Sequence, residues 1–174
     1  LLGDLALELN YPEHEVRFTD LPDTLRALES ATVGGYISNQ WGDSLVDFNG
    51  IVHVEVFDKL SQITTLNNDD APNPHTFQVY RNVLFRGVAS VSNGAFEFEF
   101  IVPRDIDYTF GNGRISAYAV SDSSDANGAT ESIVIGGVAS DFVVDLTPPS
   151  VELFLNDTNF VSGGMTDEEP WLLA

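Results

Sequence analysis

Polar and apolar residues alternate along most of this chain with the two-residue period of a strand, and no stretch keeps the 3.6-residue period of a helix. The clearest case is FEFEFIVPRDIDYTFGNGRISAYAV, residues 96–120. Phe96, Phe98, Phe100 and Val102 alternate with Glu97 and Glu99, which predicts a strand with one buried face. Pro103 ends it, because proline cannot donate to a strand ladder. A polar turn with Gly111 and Gly113 comes next. Ile115, Ala117 and Ala119 then alternate with Ser116 and Tyr118 on a second predicted strand.

The same period recurs elsewhere. Residues 50–57 predict a strand with Val52, Val54 and Val56 on one face and His53 and Glu55 on the other. Residues 31–37 predict another, with a bulge at Gly34-Gly35. Residues 86–91 and 95–102 flank Ser92-Asn93-Gly94, and Asn-Gly is a strong hairpin signal. Residues 76–85 predict a strand of mixed alternation, and 131–136 a further one. Residues 13–18 are expected to be extended, and 20–25 to form a linker into a short helical or extended piece. Trp41-Gly42-Asp43 reads as a turn. Residues 65–74 and 121–130, rich in Asp, Asn, Ser and Pro, read as loops. Pro148-Pro149 stiffens the chain, and alternation restarts at 151–155. Short strands separated by turn signals predict an all-β fold, an immunoglobulin-like β-sandwich.

The expected organisation is a short leading segment over residues 1–12, the sandwich over 13–146, and a linker with the start of another β-domain over 147–174. The chain opens at Leu1 and closes on Trp171-Leu172-Leu173-Ala174, so it is read as a slice of a longer protein. The apolar runs are too short to predict a membrane-spanning helix.

Charge narrows the partners. The 174 residues carry 27 Asp and Glu against 7 Lys and Arg, a net charge of −20, and Lys59 is the one lysine. Binding to nucleic acid or to an anionic membrane gains from counterion release by cationic groups, so both are expected to be poor partners. Cysteine is absent, which excludes disulfides, thiolate metal sites and a cysteine nucleophile within this segment.

Candidate chemistry is sparse. His14, His53 and His75 stand in separate segments without metal-ligand spacing, and no GxSxG elbow is present. Two acidic segments offer the oxygen ligands that Ca²⁺ takes. One contains Asp69 and Asp70 after Asn67-Asn68; the other contains Asp122, Asp125 and Asn127. Trp41, Tyr36, Tyr80, Tyr108 and Tyr118 are the aromatics that a carbohydrate-binding face would use. Asp23-Thr24-Leu25 and Asp43-Ser44-Leu45 match a short pattern resembling the O-glycosylation site of exported Bacteroidetes proteins. Asn156-Asp157-Thr158 is an N-glycosylation sequon.

Several segments resemble the region after the catalytic domain of gingipain-type (family C25) cysteine peptidases, and in particular of the sortase of the type IX secretion system. LLGDLALELNYP (1–12) is similar to the closing segment of that catalytic domain, with Leu5 where the family commonly has proline. DTLRALESATVGGYI (23–37), LVDFNGIVHVEVFDK (45–59), LFRGVASVSNGAFEFEFIVPRDIDYTFGNGRISAYA (84–119) and VELFLNDTNFVSGGMT (151–166) resemble the β-region beyond it. The resemblance implies a parent cysteine peptidase that removes C-terminal secretion signals at the outer surface of a Gram-negative cell. The catalytic cysteine and histidine would lie upstream of this chain. The slice itself would be a non-enzymatic accessory region without a cofactor. Its partners would be the parent's peptidase domain and following β-domain, together with secretion-system proteins or secreted substrates, without nucleic acid or membrane insertion. The alternative expectation is a calcium- or carbohydrate-binding module of a bacterial surface adhesin or glycan-active protein.

Overall fold

The computed structural model describes residues 11–66, 68, 73–140, 152–161, 163–166 and 168–173. Expectations for residues 1–10 and for the Asp69-Asp70 segment therefore lie outside the described residues. The chain divides into two compact units, Leu1–Phe142 and Val143–Ala174.

The first unit is all-β. Its strands in chain order are β1 (His14–Asp20), β2 (Thr24–Ala27), β3 (Ser30–Ser38), β4 (Gly50–Phe57), β5 (Ser61–Thr64), β6 (Thr76–Val79), β7 (Val83–Ser92), β8 (Ala95–Ile101), β9 (Gly111–Asn112), β10 (Arg114–Ser121), β11 (Asp125–Thr130) and β12 (Val134–Val138). Among the described residues no helix is long and apolar enough to cross a membrane.

Seven strands close into a ring in the order β1-β11-β10-β4-β7-β8-β3. The ring is uneven. β4 pairs with β7 and β10 along nearly its whole length, while β3 pairs with β8 over Ser30–Tyr36 and with β1 over Gly34–Ser38. Two thin seams join these halves. One is the parallel contact of β1 with β11, registered at His14↔Ala126 and Glu15↔Asn127. The other is the mouth of the β7–β8 hairpin, at Val91↔Phe96 and Ser92↔Ala95. The closed ring goes beyond the two separate sheets that alternation alone predicted.

The alternation decides which side chains fill the ring. Val52, Val54 and Val56 are fully buried, as are Ile115 and Ala119, while Phe96, Phe98 and Phe100 are nearly so. Below the hairpin mouth the second seam has no ladder, and rings hold it together. Phe85 of β7 stacks on Phe98 and Phe100 of β8 at centroid distances of 5.6 and 4.7 Å. Gly87 makes room for this stack, since a Cβ there would overlap the Phe85 ring. The hairpin itself turns at Asn93 (φ 52°) and Gly94 (φ 76°), the two positive values that a type I′ turn needs.

Three sequence expectations change. Residues 76–85 are two strands: β6 pairs with β5, and Tyr80 to Asn82 intervenes before β7 joins the main sheet. Gly34 and Gly35 pair regularly with β8, and the register shift falls opposite, between Phe18 and Asp20 of β1. Residues 125–130, read as loop from their composition, form β11, because β10 on one side and β1 on the other offer ladders that override the local turn preference.

A small sheet, β2-β12-β9, covers one end, and its Leu25, Ala27 and Ile135 join the core. The chain enters the ring at the opposite end, where His14 stands beside Ala126 and Ser38 leads into the loop before β4. It leaves through β12, with the Ala139 N–H donating to the Ala27 carbonyl. The second unit, by itself, carries β13 (Phe154–Leu155) paired antiparallel with β14 (Leu172–Leu173). Asn156 (φ 69°) ties this pair together, its side chain donating to Thr166 and accepting from the Trp171 N–H.

Candidate functional site

The outer face of β11-β10-β4-β7 is the surface on which sequence-singled residues meet. Pairing places Val88, His53, Tyr118 and Asn127 in one row across the four strands. Ser90, Ile51, Val120 and Asp125 form the row on one side, and Arg86, Glu55, Ser116 and Ala129 the row on the other. Val88 is 59% exposed and Tyr118 42%. His53, Glu55, Arg86, Val88, Ser116 and Tyr118 line an open depression here. Its rim is charged: Arg86 donates to Glu55 at 2.6 Å. Further along, Arg114 lies over the Tyr80 ring at 5.7 Å. An apolar and aromatic centre with a polar rim is suited to docking another surface. His53 has valine and tyrosine as its cross-strand neighbours.

The second acidic segment ends on this face. Asp122 sits in the turn Asp122–Ser124, which Ser121 closes by donating to the Ser124 carbonyl. Asp125 and Asn127 project from β11. One Asp125 oxygen accepts from the Tyr118 hydroxyl at 2.9 Å, and the other from the Glu13 N–H at 3.3 Å. The bond to Asp125 raises the Tyr118 pKa above 10.0, with desolvation and the carboxylate charge adding to it. Asp122, Asp125 and Asn127 are thus brought to one end of β11, with Asp125 already engaged by protein donors. Among the described residues no group of three or more His, Asp and Glu is placed to hold a metal.

The other candidates are dispersed. His14 meets the edge of Phe48, and His75 lies beside the β5–β6 pair. Trp41 is 77% exposed on the loop at the entry end, held by an Asx turn in which Asn39 accepts from the N–H groups of Trp41 and Asp43. Of the two O-glycosylation-like hydroxyls, Ser44 is exposed on that loop and Thr24 is half-buried in β2.

Sequence reasoning missed one polar centre. Asp58 is 2% exposed, and its Oδ1 accepts from the Lys59 ammonium at 2.7 Å and from the Lys59 N–H at 2.8 Å. Its Oδ2 accepts from the Asp107 N–H at 3.2 Å. The ammonium also donates to the carbonyls of Asp107 (2.8 Å) and Ile135 (3.3 Å). One ion pair therefore fixes the end of β4, the long loop after β8 and β12 together. The available signal was the one lysine of an acidic chain, next to an aspartate at a strand end.

No protein-family model matches the chain, and no curated protein matches it. Among solved structures it is similar to dimeric latent PorU from Porphyromonas gingivalis, with a TM-score of 0.72 and 30% identity over 98% of this chain. The chain spans 17% of that protein's length. Spo0M, a sporulation control protein from Bacillus subtilis, gives a TM-score of 0.41 at 12% identity, covering 73% of this chain and 51% of its own. A β-glucosidase from Listeria innocua gives 0.33 at 16% identity, covering 74% of this chain and 17% of its own. Only the likeness to PorU carries weight: nearly the whole chain has the fold of a segment of PorU.

Proposed function

We propose that this chain is a non-catalytic accessory region of a surface cysteine endopeptidase of the type IX secretion sortase kind. The likeness to PorU along 98% of the chain carries the reading. Geometry supports a bracing and spacing role, because the polypeptide enters the first unit at one end of the ring and leaves it at the other. The catalytic cysteine would lie upstream, as this chain has none.

The finer fold assignment within this reading is immunoglobulin-like. β1, β3 and β8 take the positions of the A, B and E strands, and β4, β10 and β11 those of C, F and G. Residues 1–12 would close the peptidase domain, 13–146 form the sandwich, and 147–174 open a following β-domain. The Val88–His53–Tyr118 row would face the peptidase domain, secretion-system proteins or secreted substrates, at the exterior of a Gram-negative outer membrane.

The test compares the isolated chain, the full parent and the parent lacking residues 20–146, assayed for cleavage of a C-terminal secretion-signal substrate and for cell-surface association. The expected result is an inert isolated chain and a folded deletion that loses cleavage or surface association. A deletion that is normal in both respects would overturn the accessory role.

A further inference from the structure

β8 has a free side. Ile37 N–H donates to the Gly94 carbonyl and Val102 N–H to the Glu29 carbonyl, so the even-numbered backbone groups of this strand face β3. The odd-numbered groups, at Glu97, Glu99 and Ile101, then face away from it. At the hairpin mouth Ala95 uses that side to pair with Ser92 of β7, and the last β7 pairing, Val91↔Phe96, engages the Glu97 N–H as well. Past that point β7 belongs to the other half of the ring, and only the Phe85–Phe98–Phe100 stack spans the gap. Among the described residues, the N–H and C=O groups of Glu99 and Ile101 have no strand partner on that side. Constant-type immunoglobulin sandwiches place a further strand on the corresponding edge. Here Ile101 is 69% exposed at its end, and an open depression lined by Asp20, Gly34, Ser90, Phe96 and Glu97 lies beside its start.

From this geometry we propose that the β8 edge binds an extended polypeptide segment by strand addition, and that the segment carries lysine or arginine at alternate positions. Backbone ladder bonds supply attachment, and side chains on one face supply selection. The outward side chains along the edge are Glu97 and Glu99, with Asp20 near Glu97 across Gly34. Opposite charges directly across strands stabilise a pairing and like charges oppose it. A second copy of this chain is disfavoured on the same ground: antiparallel β8–β8 pairing would set Glu97 and Glu99 against each other, within a chain of net charge −20. The inference needs only the fold, and stands or falls separately from the accessory role.

The test uses the whole 174-residue chain and a nine-residue peptide with lysine at every second position and valine or threonine between. Its control is the same peptide with glutamate for lysine. In the free chain the amides of Glu99 and Ile101 should exchange with solvent at least tenfold faster than those of Phe98 and Phe100. Saturating lysine peptide should slow these two amides at least tenfold, and the glutamate peptide should leave them unchanged. Glu99→Pro removes an N–H that pairs with nothing described, so the fold should survive while affinity falls at least tenfold. Should that variant unfold, the double variant Glu97→Lys/Glu99→Lys decides, by reversing the peptide preference. Glu99 and Ile101 amides already protected in the free chain would overturn the proposal. So would equal binding of the two peptides, or self-association of the chain that Glu99→Pro abolishes.

Discussion

Lys59→Met removes the ammonium from the Asp58 centre while keeping a side chain of similar reach. Two consequences can be weighed. Asp58, 2% exposed, keeps two N–H donors but loses its countercharge. The carbonyl of Ile135, a buried residue, loses its 3.3 Å donor, whereas the Asp107 carbonyl is exposed and turns to water. Breaking a fully buried ion pair costs about 3–5 kcal/mol. Lys59 is 15% exposed and the carboxylate keeps part of its hydrogen bonding, so the lower end applies, about 3 kcal/mol. At a urea slope of about 1.5–2 kcal/mol/M the unfolding midpoint should drop by roughly 1.5–2 M. The matched control is Arg86→Met, which breaks an ion pair of similar length whose arginine is 70% exposed, and should cost under about 1 kcal/mol. The double variant Asp58→Asn/Lys59→Met should recover part of the loss, because it no longer buries an unpaired charge. If Lys59→Met costs no more than Arg86→Met in the same urea titration, the centre does not hold the three segments together and the reasoning fails.

Three further outcomes are expected. Gly94→Ala forces a methyl group into a positive-φ position and against the Leu45 carbonyl, and should cost at least about 2 kcal/mol by urea unfolding, with Asn93→Gly near neutral. Phe100→Ala removes one ring of the stack that bridges the unlaced seam, and should cost about 3–5 kcal/mol in the same assay. Tyr118 favours its neutral form in the folded chain, so its contribution to stability is complete below pH 10.0 and lost as pH rises through the higher folded value; Asp125→Ala should bring its tyrosinate absorbance titration back toward 10.0, and an unchanged titration would refute the bond to Asp125 as the cause.

Alternation was enough to find β4, β8 and β10 and to name their buried faces, since a two-residue period needs no knowledge of partners. Asn93-Gly94 located a turn whose chemistry is local, both residues taking the positive φ that a two-residue hairpin demands. The sequence also limited the chemistry, through its missing cysteine and its excess of carboxylates. Pairing had to wait for the tertiary structure. Asp125–Thr130 has the composition of a loop and becomes a strand because β1 and β10 flank it with open ladders. Lys59 meets Asp107 and Ile135 across 48 and 76 positions of chain. The closing of the ring at two thin seams and the unpaired end of β8 likewise depend on which strands come alongside and where they part. Periodicity records which side of a strand faces the core. It holds no record of which strand lies alongside, because backbone hydrogen bonds are the same for every residue and only the packed fold assigns their partners.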